Sequence, residues 1–162
     1  MTGKIVTAMT DYYKGDVKRI NHFMKVYAFA KAIGEEEGLD CKTQNILEIA
    51  AIVHDIGIKI SEEKYNSSAG KYQELEGPDE ARKLLESLNL NKEVIDRVCY
   101  LVGHHHTYKN IDNIDYRILV EADFIVNLYE DNESREAAQK VYDNIFKTET
   151  GKRYMRNLFL GE

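Results

Sequence analysis

The five histidines of this 162-residue chain fall at three places: His22, His54 and the run His104-His105-His106. His54 is followed at once by Asp55, at the end of the apolar stretch Ile46-Leu47-Glu48-Ile49-Ala50-Ala51-Ile52-Val53. A carboxylate buried there without a partner costs several kcal/mol, on the order of 3–5. A second carboxylate, Asp123, is embedded in Ile118-Leu119-Val120-Glu121-Ala122-Asp123-Phe124-Ile125-Val126. A helical wheel sets it beside Leu119 and Val126, at the margin of the apolar face. Glu121 points elsewhere and reads as a solvated charge. Three successive histidines diverge around a helix, so at most two of 104–106 serve one site.

These residues offer imidazole nitrogen and carboxylate oxygen without thiolate. Such a set suits a divalent transition metal (manganese, iron, cobalt, nickel or zinc), with magnesium as a further option, and disfavours a structural thiolate zinc site. An open coordination position would hold water and lower its pKa from ~15.7 towards ~7, and the same ion could polarise a phosphoryl oxygen. Each residue alone has a plainer reading: Asp55 as a hydrated helix end, Asp123 as a structural hydrogen-bonding group, His22 as an ordinary histidine. No Ser-His-Asp spacing, Gly-rich phosphate loop or dinucleotide fingerprint offers a competing chemistry.

The elements that must carry these side chains read as helices throughout. The first strong segment opens at Asp16, an N-cap residue, and runs to Gly38, a C′ residue, with Val17, Ile20, Met24 and Tyr27 at three- and four-residue steps. The second opens after Thr43, is apolar on nearly every side, and ends at His54-Asp55-Ile56-Gly57, where Gly57 is expected to supply a left-handed stop. Residues 59–76 are polar and are expected to form an irregular loop, a candidate lid. Pro78 fits the first turn of a third helix, and Asn91 caps a fourth that leads into the histidine run. A fifth covers roughly 114–131, with shorter ones around 134–147 and 151–159. With no alternating strand pattern, the expected class is all-α. The expected architecture is a single domain of about six or seven helices around the buried second one.

Composition narrows the partners. Hydrophobic residues make up 43% and charged residues 31%, the balance of a folded, water-soluble domain. With 22 basic against 28 acidic residues the net charge is −6, which disfavours duplex nucleic acid and anionic membranes as partners. A small phosphorylated ligand would then need a local source of positive charge, and a metal ion is one. Cys41 and Cys99 form no C-x-x-C pair. Together with a start that lacks the apolar region of a signal peptide, they lead us to expect a reduced, cytoplasmic setting.

The order His22, His54-Asp55, Asp123 resembles the HD-domain superfamily of metal-dependent phosphohydrolases, whose most recognisable segment is similar to Ala50-Ala51-Ile52-Val53-His54-Asp55-Ile56-Gly57. Arg19 and the triplet Glu121-Ala122-Asp123 also match, and the resemblance covers about residues 16–130, leaving 131–162 as a C-terminal helical extension. It implies that His22, His54, Asp55 and Asp123 bind one metal. It also implies hydrolysis of a phosphoester or phosphoanhydride in a nucleotide or related small molecule, with Asp55 or a nearby acidic group helping to manage the proton. Some branches add a second metal, and counting back from Asp123 puts His105 at a matching histidine with His104 close by. The other expected histidine is replaced by Leu75-Glu76-Gly77-Pro78, so Glu76 is the candidate second-metal ligand. His104 or His105 could otherwise stabilise phosphate charge or protonate the leaving group. Arg19 is a candidate to bind phosphate or to brace the metal ligands, and Lys59 is a candidate phosphate contact, although many relatives place the lysine directly after the glycine, where Ile58 stands here. Two other classes remain open: a catalytically silent HD domain that binds a nucleotide or partner, and a di-iron oxygenase. A homodimer is compatible with such a domain.

Overall fold

The chain enters helix ahead of its first strongly amphipathic segment. In a computed structural model that describes residues 1–162, α1 spans Thr2–Tyr12, with Ile5 and Met9, one turn apart, fully buried. α1 packs on α3. Its end is pinned by the following tyrosine, whose hydroxyl donates to the Asp55 carbonyl at 2.6 Å. This helix escapes sequence reading because only two apolar residues mark its buried face.

α2 (Val17–Glu36) begins as expected: the Asp16 side chain accepts from the Arg19 amide, and Gly38 stands past its end at φ +73°. α3 (Cys41–Val53) is capped by Asp40, which accepts from the amides of Lys42 and Thr43. All eight residues from Ile46 to Val53 are buried. α3 packs against α1, α2, α6 and α7, so it is the central helix that its all-round apolarity predicts. Each of its buried isoleucine, leucine and valine side chains contributes roughly 1.5–3 kcal/mol of transfer free energy.

The stretch after the doublet departs from expectation. Gly57 has no left-handed backbone; it opens α4 (Gly57–Tyr65), and α5 runs from Gly70 to Ser87. The expected loop over 59–76 is therefore two packed helices joined by a short turn at 66–69. The physical need for Gly57 is close approach. A Cβ there would stand 2.8 Å from the Gln73 carbonyl and 2.9 Å from Gly77 Cα, so α4 and α5 meet glycine to glycine. Pro78 sits inside α5 rather than in its first turn, and the helix continues through it.

α6 (Lys92–Val102) starts at the Asn91 cap and α7 (Ile114–Glu130) at Asn113. α8 (Arg135–Ile145), α9 (Glu149–Met155) and a π-helical turn (Arg156–Leu160) complete the chain. The fold is all-α, with nine α-helices instead of six or seven, since α1 and α4 add to those expected. No helix is long and apolar enough to cross a membrane.

Candidate metal centre

Four helices deliver side chains to one point. His22 comes from α2, His54 and Asp55 follow the end of α3, Asp123 lies midway along α7, and His105 comes from the turn after α6. His22 Nε2 lies 3.2 Å from His54 Nε2, 3.2 Å from Asp55 Oδ2 and 3.2 Å from Asp123 Oδ1. His54 Nε2 is 3.4 Å from both Asp55 Oδ1 and Asp123 Oδ1, and His105 Nε2 is 3.4 Å from Asp55 Oδ1.

The other ring nitrogens determine what these atoms can do. His54 Nδ1 donates to the Ala51 carbonyl and His105 Nδ1 to the Val102 carbonyl, each at 2.8 Å and three residues back. His22 Nδ1 donates to Glu130 Oε1 at 3.1 Å. With the proton on Nδ1 in all three, each Nε2 turns a lone pair towards the cluster. The neutral cluster is thus built of acceptors. Two of them, Asp123 Oδ1 and His105 Nε2, are buried with no hydrogen-bond partner, a state that costs about 1–3 kcal/mol for each group.

The electrostatics make the same point. Burial works against charge on His22, but the carboxylates of Asp123 and Asp55, each 3.2 Å from Nε2, outweigh it by favouring the protonated ring and raise the imidazole pKa to about 11. Burial also opposes ionisation of Asp55, yet His54, His105 and His22 hold its carboxyl well below the usual range. The site demands positive charge, and a divalent cation answers that demand for several acceptors together. The donor set fits a metal in two adjacent groups, His22-His54-Asp123 and Asp55-His105-His106; within each, the ligand atoms lie within 4.8 Å of one another. Asp55 faces both groups.

Over the cluster opens a cavity of about 380 Å³ with Ile58 as its one hydrophobic lining residue. Arg19 lines it, as do His22, Asp55 and Asp123. The Arg19 guanidinium is already held by Asp16 and Glu62, so part of its donor set is committed.

Three expected site residues lie elsewhere. Glu76 is taken by Lys64 at 2.8 Å and by the Tyr65 hydroxyl at 2.6 Å, on the outer side of α4 and α5. Its assignment rested on a helix starting at Pro78; α5 starts two turns earlier and turns Gln73 inward instead. His104 donates from Nδ1 to the Tyr100 carbonyl and stacks on the Tyr100 ring, away from the cluster. Lys59 is exposed and leans over the Tyr12 ring. His105 is fully buried, so it can join the cluster but cannot meet a leaving group in the cavity.

His106, Gln73 and Glu130 stand at the site without having been singled out. Gln73 Nε2 donates to the Ser68 carbonyl, so its Oε1 faces His106 Nε2 at 3.0 Å and the ring donates there. Burial and the neighbouring His105 lower the His106 pKa to about 4, keeping this ring neutral. Glu130 was legible in principle: it follows Asp123 by seven residues, two turns along the same face of α7.

A predicted HD superfamily hydrolase from an uncultured Thermotogales bacterium has a similar crystal structure, with a TM-score of 0.70 at 21% identity over 98% of this chain and 84% of that one. At that identity the likeness speaks for the fold. No curated protein matches the chain. The HD domain matches over residues 19–147, a span that holds His22, the His54-Asp55 doublet and Asp123. The chain belongs to the HD-domain family.

Proposed function

We propose that this protein is a metal-dependent phosphohydrolase that cleaves a phosphoester or phosphoanhydride of a small phosphorylated molecule, with a nucleotide or nucleotide-like compound as the expected class. The observation that carries the reading is the convergence of buried acceptors from four helices, two of them without any hydrogen-bond partner, beneath a polar cavity. His22, His54, Asp55 and Asp123 would hold one divalent cation. His105 and His106, sharing Asp55, would hold a second. A cation bound there supplies Lewis acidity, neutralising phosphate charge and acidifying a water molecule.

The remaining roles belong to side chains that face the cavity. Arg19 and Lys18 supply its fixed positive charge and orient the phosphate. Asp55 is held ionised by three histidines, which makes it a better ligand and water-orienting acceptor than a strong base. His106, neutral and lining the cavity, gives its Nε2–H to Gln73 and so serves as a ligand to the second cation, not as a proton donor to the leaving group.

The test is phosphate release from a panel of nucleotides and simple phosphate esters, run with manganese, cobalt, nickel, zinc, iron and magnesium in turn. Metal-dependent release that disappears in His54→Ala supports the reading. Tight nucleotide binding without release under every metal would replace it with a binding role.

A further inference from the structure

The three histidines that aim Nε2 at the cluster are not oriented alike. His54 and His105 each use a main-chain carbonyl three residues back, at 2.8 Å, an arrangement internal to one turn of chain. His22 has a charged partner from another helix, Glu130 Oε1 at 3.1 Å. The same oxygen lies 3.0 Å from Lys25 Nζ, and Lys25 follows His22 by three residues on α2. The Glu130 side chain is 14% exposed and the His22 side chain 9%, so their contact is largely sheltered, whereas Lys25 is 40% exposed.

Two turns of α7 thus place Asp123 on one side of the His22 ring and Glu130 on the other. A carboxylate accepting the far N–H of a ligating imidazole fixes its tautomer and makes the near nitrogen a stronger donor than a neutral carbonyl would. We infer that Glu130 is a positioning residue for His22, holding the ring so that Nε2 points into the cluster and strengthening it as a metal ligand. The inference rests on the metal reading above. Lys25 holds Glu130 from the solvent side and is dispensable.

The experiment uses the full chain in four forms: wild type, Glu130→Gln, Glu130→Ala and Lys25→Met. Co²⁺ affinity is measured by calorimetry, and the visible spectrum of the Co²⁺-loaded protein is recorded. Glu130→Ala is expected to weaken Co²⁺ by 10–100-fold and to change the visible absorption, because a ligand has been reoriented. Glu130→Gln can still accept from Nδ1 but has lost the charge, so it should fall several-fold below wild type. Lys25→Met should stay within threefold, with an unchanged spectrum. Helicity by circular dichroism checks folding, and if the alanine variant is unfolded the near-isosteric glutamine decides. Affinity within twofold of wild type in every folded Glu130 variant overturns the inference alone. A Lys25→Met loss equal to that of Glu130→Ala does the same, since it would make Glu130 only half of an ion pair. Failure of the wild type to take up Co²⁺ overturns the metal reading and this inference with it.

Discussion

Glu121 and Asp123 lie two residues apart on α7, both buried, and their carboxylates meet opposite surroundings. Glu121 turns to the chain between α8 and α9. There its Oε1 accepts from the Lys147 amide at 2.6 Å and the Thr148 amide at 3.0 Å, and its Oε2 accepts from the Thr148 hydroxyl at 2.6 Å. Each of those groups is a donor, and the result is a tie that secures the start of α9. Asp123 meets the imidazoles of His22 and His54 with the Asp55 carboxylate close by, and one of its buried oxygens has no hydrogen-bond partner. Burial alone therefore does not mark a functional carboxylate. A structural one meets enough donors, whereas a metal-binding one is surrounded by other acceptors.

That contrast can be broken from either side. The largest expected effect is Asp123→Ala, which should lower phosphatase activity at least 10³-fold, equivalent to about 4 kcal/mol of transition-state stabilisation. Helicity should be retained and bound metal lost. Glu121→Ala should do the reverse, costing about 3 kcal/mol in a urea melt by stranding three donors and opening a cavity, with metal content unchanged. Next in size is the metal's own contribution to stability. Saturating cation at 100 times its dissociation constant should add about 2.7 kcal/mol, read as a higher melting temperature that a chelator reverses. Glu121→Ala should keep this shift and Asp123→Ala should lose it. The smallest effects belong to the residues that the structure places away from the cluster. Glu76→Gln, Lys59→Ala and His104→Ala should each stay within twofold of wild-type activity in a steady-state assay, and a tenfold loss in any of them would return that residue to the site.

Much of this was readable from residue order. Helices that carry their own caps, such as Asp16 for α2 and Asn91 for α6, and the all-round apolarity of α3, follow from local chemistry. His54, Asp55 and Asp123 could be nominated because polar groups on apolar helix faces need a reason, whereas His22 and His105 joined them through the resemblance to the HD-domain superfamily. What could not be read was register between helices. α5 opens at Gly70 and packs on α4 through the close approach of Gly57 to Gly77, a tertiary fact, and in that packing Gln73 rather than Glu76 faces the cluster. Sequence position makes Glu121 read as a solvated charge, because the donors that hold it come from residues 147 and 148, more than two dozen positions away. Sequence periodicity registers which face of a helix is apolar. It does not say what a polar residue at the edge of that face will meet.

The central claim is that His22, His54 and Asp123 converge because they hold a metal ion. Crystals grown with Co²⁺ and measured at the cobalt absorption edge test it directly. The account predicts an anomalous peak at coordination distance from Nε2 of His22, Nε2 of His54 and a carboxylate oxygen of Asp123. A well-ordered structure with these side chains in place and no peak among them would contradict it.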